Sequence, residues 1–290
     1  MELLTWFVNT WQFNAVIAII CSVFYVQTYK LAIRNTRREA TATIILEALG
    51  ALGALLFVPL FTFRFSVTPK ILLLFVFANI FYTLNDRLKT ISRKHLDVSV
   101  FSIIDQLYNV FLILYGVVLF HNPIILTKFI GGALIIFGNI LLFYHKGKLA
   151  IDKYVLLSIL AALLLATALI IDVDISRQSN LPFYVMLTLI IPAIINFVST
   201  RCSITNILEE FNSKNKRYFI ICGLISGPMI ICTIRSLQLG QVAFVAPLLA
   251  TSVILNVLIA SAVHKENKQL LKKIAIALVI IIGVYLTVSP

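Results

Sequence analysis

Ten runs of about 17 to 23 mostly apolar residues, separated by short polar connections, occupy nearly all of this 290-residue chain. A hydrocarbon core about 30 Å thick requires roughly 20 apolar residues per helical crossing, and in lipid every backbone N–H and C=O has to be satisfied within the segment. The runs at 13–33, 41–63, 70–86, 98–120, 124–144, 154–171, 181–200, 218–238, 241–263 and 271–288 therefore read as spans 1 to 10 of an all-α integral membrane protein. A hydrophobic content of 60% fits that class. So little chain is left over that any function is expected among the helices.

The 24 Lys and Arg residues fall unevenly. Nineteen lie at or beside the connections that follow spans 1, 3, 5, 7 and 9, and five at the others. By the positive-inside rule the odd-numbered connections are cytoplasmic and both termini lie outside. The expected location is the cell (inner) membrane. The net charge of +12 is spread over five short connections and is not one patch, which argues against nucleic acid as a partner. The first twelve residues lack the basic start and small-residue cleavage site of a signal peptide, so span 1 is expected to be retained. Cys21, Cys222 and Cys232 lie inside spans, Cys202 lies at the end of span 7, and no Cys-x-x-Cys occurs; all four read as small packing residues.

The chain also reads as a duplication. Residues 131–143 (GGALIIFGNILLF) and 275–287 (AIALVIIIGVYLT) share Ala133-Leu134 with Ala277-Leu278 and, after a one-residue slip, Gly138 with Gly283. A cut near Tyr154 leaves five spans on each side, giving halves 1–150 and 151–290. Because five is odd, the second half enters the membrane inverted. Two inverted five-helix repeats are a recurrent architecture for alternating access, with the solute near the midplane where the halves meet.

With those features in place, the chain resembles the EamA family of the drug/metabolite transporter superfamily over nearly its full length. Glu266, nine residues before Ala275, matches an acid that closes a family repeat, and Asn122 stands in the equivalent place of the first half. Pro247, after Phe244 and Val245, matches a family proline, whereas Ile103 and Asp105 occupy that region of span 4. The resemblance implies a secondary transporter and not an enzyme. Better-known ten-helix members keep both termini in the cytosol, opposite to the charge count here.

The solute has to be read from intramembrane polar groups. Of twelve acids only Glu47 in span 2 and Asp105 in span 4 lie well inside a span. A carboxylate in hydrocarbon costs about 2.5 to 3.5 kcal/mol or more unless it faces a cavity or a partner, so both mark a pathway and both are candidate proton carriers. Span 4 repeats Ser102, Asp105, Asn109 and Gly116 at helical spacing, flanked by Tyr108 and Tyr115; span 3 carries Asn79, Tyr82, Thr83 and Asp86 on one face. Span 1 adds Tyr25 and Tyr29, and Asn196 and Asn256 lie in the inner parts of spans 7 and 9. An acidic, tyrosine-lined vestibule suits an amine, through charge and through cation–π attraction of about 1 kcal/mol per ring. The expected solute-binding set is thus Tyr25, Glu47, Asn79, Tyr82, Asp105, Tyr108, Asn109, Asn196 and Asn256.

Other readings compete residue by residue. Tyr29 and Tyr144 sit where interfacial belt tyrosines sit. Glu47 or Asp105 would also serve, protonated, as static glue between helices. Gly50, Gly53, Ala48, Ala51 and Ala54 read as a close-packing stripe. Arg235 would hold a solute carboxylate or snorkel to headgroups. Pro192, Pro228 and Pro247 each free a backbone carbonyl, for a kink or for a polar ligand. All four His lie at helix ends or in connections, and no nucleotide-binding, nucleophile-elbow or zinc-protease run occurs, so neither cofactor nor metal is expected. The leading expectation is a transporter of a small amine or zwitterionic, amino-acid-like metabolite, with the lipid bilayer as its surroundings and a monomer or homodimer as its state. A non-transporting membrane partner, a lipid-handling subunit and an integral membrane enzyme acting on a lipid are the alternatives.

Overall fold

In a computed structural model the structure describes residues 9–63, 68–119, 125–145, 148–149, 151–176 and 178–288. The readings made on the first eight residues, His121, Asn122, Ser289 and Pro290 lie outside them, as do the side chains of Tyr144 and His145. Within them, ten helices are long and apolar enough to cross a membrane. The chain is a multi-pass, all-helical integral membrane protein, apart from the two-residue antiparallel pairing of Tyr144–His145 with Lys148–Leu149.

Spans 1 to 3 are the helices Trp11–Ile33, Glu39–Leu55 with a short 3-10 turn Val58–Leu60, and Pro69–His95. Span 5 is Leu126–Phe143, and spans 6, 7, 8 and 10 are Lys153–Ser176, Leu181–Ser199, Lys216–Leu239 and Leu270–Val288. Spans 4 and 9 are each made of two helices in tandem: Val98–Asp105 with Leu107–Val118, and Val242–Ala250 with Ser252–Val263. A short helix, Ile204–Phe211, lies in the connection between spans 7 and 8.

Span 3 departs most from the hydropathy reading, running nine residues past Asp86 to His95. Asp86, Arg87, Lys89, Arg93 and Lys94 end the apolar run, but straight-chain basic residues continue a helix well. At 1.5 Å per residue its 27 residues span about 40 Å, more than the hydrocarbon core. Thr68 accepts the Ile71 N–H at its start, with Pro69 in the first turn. At its end, Lys30 of span 1 donates to the carbonyls of Arg93, Lys94 and Leu96 at 2.7 to 2.9 Å, meeting groups that a helix terminus leaves open. Lys94 in turn donates to Thr36 O and pairs with Glu39.

The interruptions in spans 4 and 9 have the same local chemistry. At Gln106 the backbone N–H bonds to Ile103 O, and Asn109 N–H bonds to Gln106 O; at Thr251 the N–H bonds to Leu248 O, and Ile254 N–H to Thr251 O. Each is one tightened, three-residue turn inside an otherwise α-helical span. The two sites are 145 residues apart in the sequence.

Packing follows a pattern that is unchanged when each span is exchanged for the one five positions along. Span 1 packs on span 8 and span 3 on span 6; span 2 packs on span 7, and span 5 on span 10. Where spans 5 and 10 cross, a Cβ on Gly131 would meet the Gly283 carbonyl oxygen, and a Cβ on Gly283 would meet the Gly131 carbonyl at 2.8 Å. Spans 2 and 8 also meet backbone to backbone: Gly227 lies against Gly50 O and Ala54 N, and Gly53 against the carbonyl of Leu224, the group left without its helical donor by Pro228.

Two clasps between sequence-distant segments flank the bundle. At the end carrying the basic connections, Glu266 accepts from Val98 N–H (2.8 Å), Ser99 N–H (3.0 Å) and Ser99 Oγ (2.6 Å), capping span 4 where an anion is favoured. Lys273 donates to Ser99 Oγ at 2.7 Å and pairs with Asp97 at 3.3 Å. At the opposite end Asn180 caps span 7 through Phe183 N–H and donates to the carbonyls of Phe61 and Thr62. Asn180→Ala removes a cap and orphans those carbonyls, so its expected cost is about 1 to 2 kcal/mol, read as a lowered unfolding temperature in detergent.

Candidate functional site

Span 3 organises the polar interior. Asn79, Tyr82, Asp86, Lys89 and Arg93 recur at intervals of three and four, which puts them on one face from mid-helix to the basic end. Residues of spans 1, 2, 4 and 7 gather on that face.

Glu47 of span 2 is buried, and both its carboxylate oxygens accept from Asn196 Nδ2 of span 7 at 3.2 Å. It also shares a hydrogen bond with the Asp86 carboxyl of span 3. Asp86 accepts from Asn85 Nδ2 at 2.7 Å and lies within electrostatic reach of Lys89, Arg93 and Asp105. Asn196 is fully buried, and its Oδ1 has no hydrogen-bond partner.

Asp105, at the interruption of span 4, forms an ion pair with Lys89 at 2.9 Å, both side chains being mostly buried. Tyr108 hydrogen-bonds Asn109, and Asn109 Nδ2 donates to Gln106 O at 3.2 Å. Asn109 and Gly116 line a cavity of about 440 Å³ bounded by spans 4, 5 and 10 at the end away from the basic connections. Asn79 is buried, donates to Phe75 O at 2.7 Å, and leaves Oδ1 without a partner; Thr83 donates to Asn79 O. Tyr82 is half-buried on the same face.

Near the basic end, the Arg93 guanidinium stands over Tyr29 (4.4 Å), Phe101 (4.5 Å) and Tyr25 (5.2 Å) and donates to the Tyr25 hydroxyl. Tyr29 is buried and hydrogen-bonded to Thr90 at 2.6 Å, so it is an interior residue and not a belt tyrosine. Thr43 reaches the same hydroxyl of Thr90 at 2.7 Å. Asn256 of span 9 accepts from Gln27 Nε2 of span 1, at its backbone oxygen and its Oδ1, each at 3.2 Å.

The sequence-derived residues fall into three neighbouring groups. Glu47 and Asn196 meet, joined by Asp86; Asp105, Tyr108 and Asn109 cluster at the interruption of span 4; Tyr25 joins Arg93. Asn256 pairs instead with Gln27. Lys89 and Arg93, counted as connection charges from sequence, stand in the interior, so the carboxylates are balanced by two cations. The signal for them was the continued three-four spacing beyond Asp86. Arg235 stands over the Phe61 ring at 5.7 Å and reaches Gln238.

Unsatisfied groups concentrate here. Asn79 Oδ1, Asn85 Oδ1, Ser102 Oγ, Asn196 Oδ1 and Arg93 Nε are buried polar atoms without hydrogen-bond partners. Each such group costs about 1 to 3 kcal/mol, which a polar ligand or water recovers. Outside the spans, burial pushes the Glu210 carboxyl up from its ordinary value and the His264 imidazole down. Among the described residues no group of three or more His, Cys, Asp or Glu is arranged for a metal ion.

No family model matches the chain, and no curated protein matches it. Solved structures do: one, described only as the crystal structure of a protein, superposes with a TM-score of 0.60 over 94% of this chain and 94% of its own, at 9% identity. That likeness concerns the fold alone.

Proposed function

We propose that the chain is a secondary transporter of a small zwitterionic or amine metabolite, of EamA-like architecture, working by alternating access between two inverted five-helix halves, 1–150 and 151–290. The observation that carries this reading is the Glu47–Asn196 contact: a buried acid of one half is held by a buried amide of the other, amid unpartnered polar atoms. Inversion is supported by three features already described: the exchange-invariant packing, the reciprocal Gly131–Gly283 contact, and the interruptions of spans 4 and 9 at a separation of 145 residues. Paired discontinuous helices are where such carriers bind solute.

The charge balance favours a solute bearing both signs. Glu47 and Asp86 suit an ammonium group, and Lys89 and Arg93 suit an anion. Proton coupling, expected at Glu47 or Asp105, is assigned to Glu47 with Asp86, because Asp105 already neutralises Lys89. The test is counterflow in proteoliposomes with labelled amino acids and amines. Saturable flux that is accelerated by a preloaded solute is the expected result; none across the panel would favour a non-transporting partner.

The charge bias supports a reading in which the basic connections face the cytoplasm and both termini lie outside, with the cell (inner) membrane as the proposed location. Single cysteines added at the two ends of an otherwise cysteine-free protein are expected to react with impermeant reagent in intact cells. Protection of both ends would reverse the orientation.

A further inference from the structure

We infer that Arg93 is the anchor for the carboxylate of the solute, a deepening that rests on the transport reading above. More than nine-tenths of the residue is buried, yet among the described residues it makes no ion pair. Three aromatic rings surround the guanidinium. Such stacking occupies the faces of the planar group and leaves its N–H edges as the donors. One edge donates to the Tyr25 hydroxyl, and Nε–H has no acceptor.

Beside it lies a cavity of about 10 Å³ lined by Val26, Lys30, Arg93, Val98 and Phe101. That is room for a single oxygen-sized atom. Lys30 spends its N–H groups on the end of span 3, but its charge still bears on the same cavity. A guanidinium edge takes a carboxylate in a geometry that a point-like ammonium does not reproduce. A planar carboxylate is smaller than a tetrahedral phosphate and needs less displacement of the spans to direct one oxygen into so small a space. Asp86 is within electrostatic reach of Arg93, so its charge bears on the ammonium end of a zwitterion whose carboxylate Arg93 holds.

The experiment compares wild type, Arg93→Gln and Arg93→Lys, purified whole in detergent, by thermal-shift titration with the common amino acids, their decarboxylated amines and inorganic phosphate. Unliganded melting and far-ultraviolet circular dichroism establish the fold of each variant. The expected result is stabilisation of wild type by carboxylate-bearing solutes, weakened about tenfold or more in Arg93→Gln, less in Arg93→Lys, with amine binding unchanged. If Arg93→Gln does not fold, phenylglyoxal modification of wild-type Arg93, followed by peptide mass spectrometry, is expected to be slowed by amino acids and not by amines. Absence of any carboxylate-dependent stabilisation in wild type, unchanged affinity in Arg93→Gln, equal protection by amines, or a preference for phosphate would each overturn the assignment. Carboxylate binding without liposome flux would overturn transport and leave Arg93 standing; flux untouched by Arg93→Gln would overturn Arg93 and leave transport standing.

Discussion

Reconstituted Glu47→Gln protein is expected to lose flux driven by a pH gradient by roughly thirtyfold or more, the consequence of removing one partner of a buried, hydrogen-bonded charge site worth about 2 to 5 kcal/mol. Glu47 is the group through which three spans meet: Asn196 holds both of its oxygens, and the Asp86 carboxyl lies close by. With glutamine the position keeps its size and its hydrogen bonding, but it no longer takes up and releases a proton. Solute counterflow without a gradient is expected to survive, because exchange does not require net proton movement. Asp105→Asn separates the two acids. It leaves Lys89 without its ion-pair partner at 2.9 Å, so the dominant expected effect is lower stability, of about 3 kcal/mol, with the pH dependence of the remaining flux intact. Equal loss of gradient-driven flux in both variants would contradict the assignment of coupling to Glu47 and Asp86.

The second large effect is expected at the crossing of spans 2 and 8. A side chain on Gly227 would run into the backbone of Gly50, Gly53 and Ala54, and one on Gly53 into the backbone of Leu224. Backbone cannot rotate aside as a side chain does. Gly227→Leu therefore has to separate the two helices, at an expected cost of about 3 kcal/mol or more, and this crossing lies one turn from Glu47. Loss of the monodisperse peak in size-exclusion chromatography, or a fall of many degrees in the unfolding temperature, is the expected readout. Gly132→Ala is the control, because its Cβ would meet only Ile113 Cδ1, at an ordinary 3.6 Å. A Gly227→Leu protein as stable as that control would show that the crossing is not as close as described.

How much of this was legible in the sequence follows from what hydropathy can and cannot encode. Ten spans were readable because lipid forces length and apolarity on every crossing. The close-packing role of Gly50 and Gly53 was readable from spacing alone. The end of span 3 was not, because charges that terminate an apolar run do not terminate a helix; Lys89 and Arg93 were consequently assigned to a connection. Partnerships were also hidden. Depth can be counted along a span, but rotation about the helix axis and the neighbour across the interface cannot, so Glu47 and Asp105 read as equivalent acids while the fold gives one to Asp86 and Asn196 and the other to Lys89. The interruption of span 9 had a signal in Pro247, four residues before Thr251. That of span 4 had none, since Gln106 is neither proline nor glycine.

Alternating access around the face of span 3 is the central claim, and a single thiol tests it most directly. Ser102, whose buried Oγ has no hydrogen-bond partner, lies on the Asp105 face of span 4. In a protein whose Cys21, Cys202, Cys222 and Cys232 have been replaced, Ser102→Cys in sealed, oriented vesicles is expected to react with an impermeant thiol reagent applied from either side, with solute altering both rates. Reaction from neither side, or from one side only whatever the solute, would contradict it.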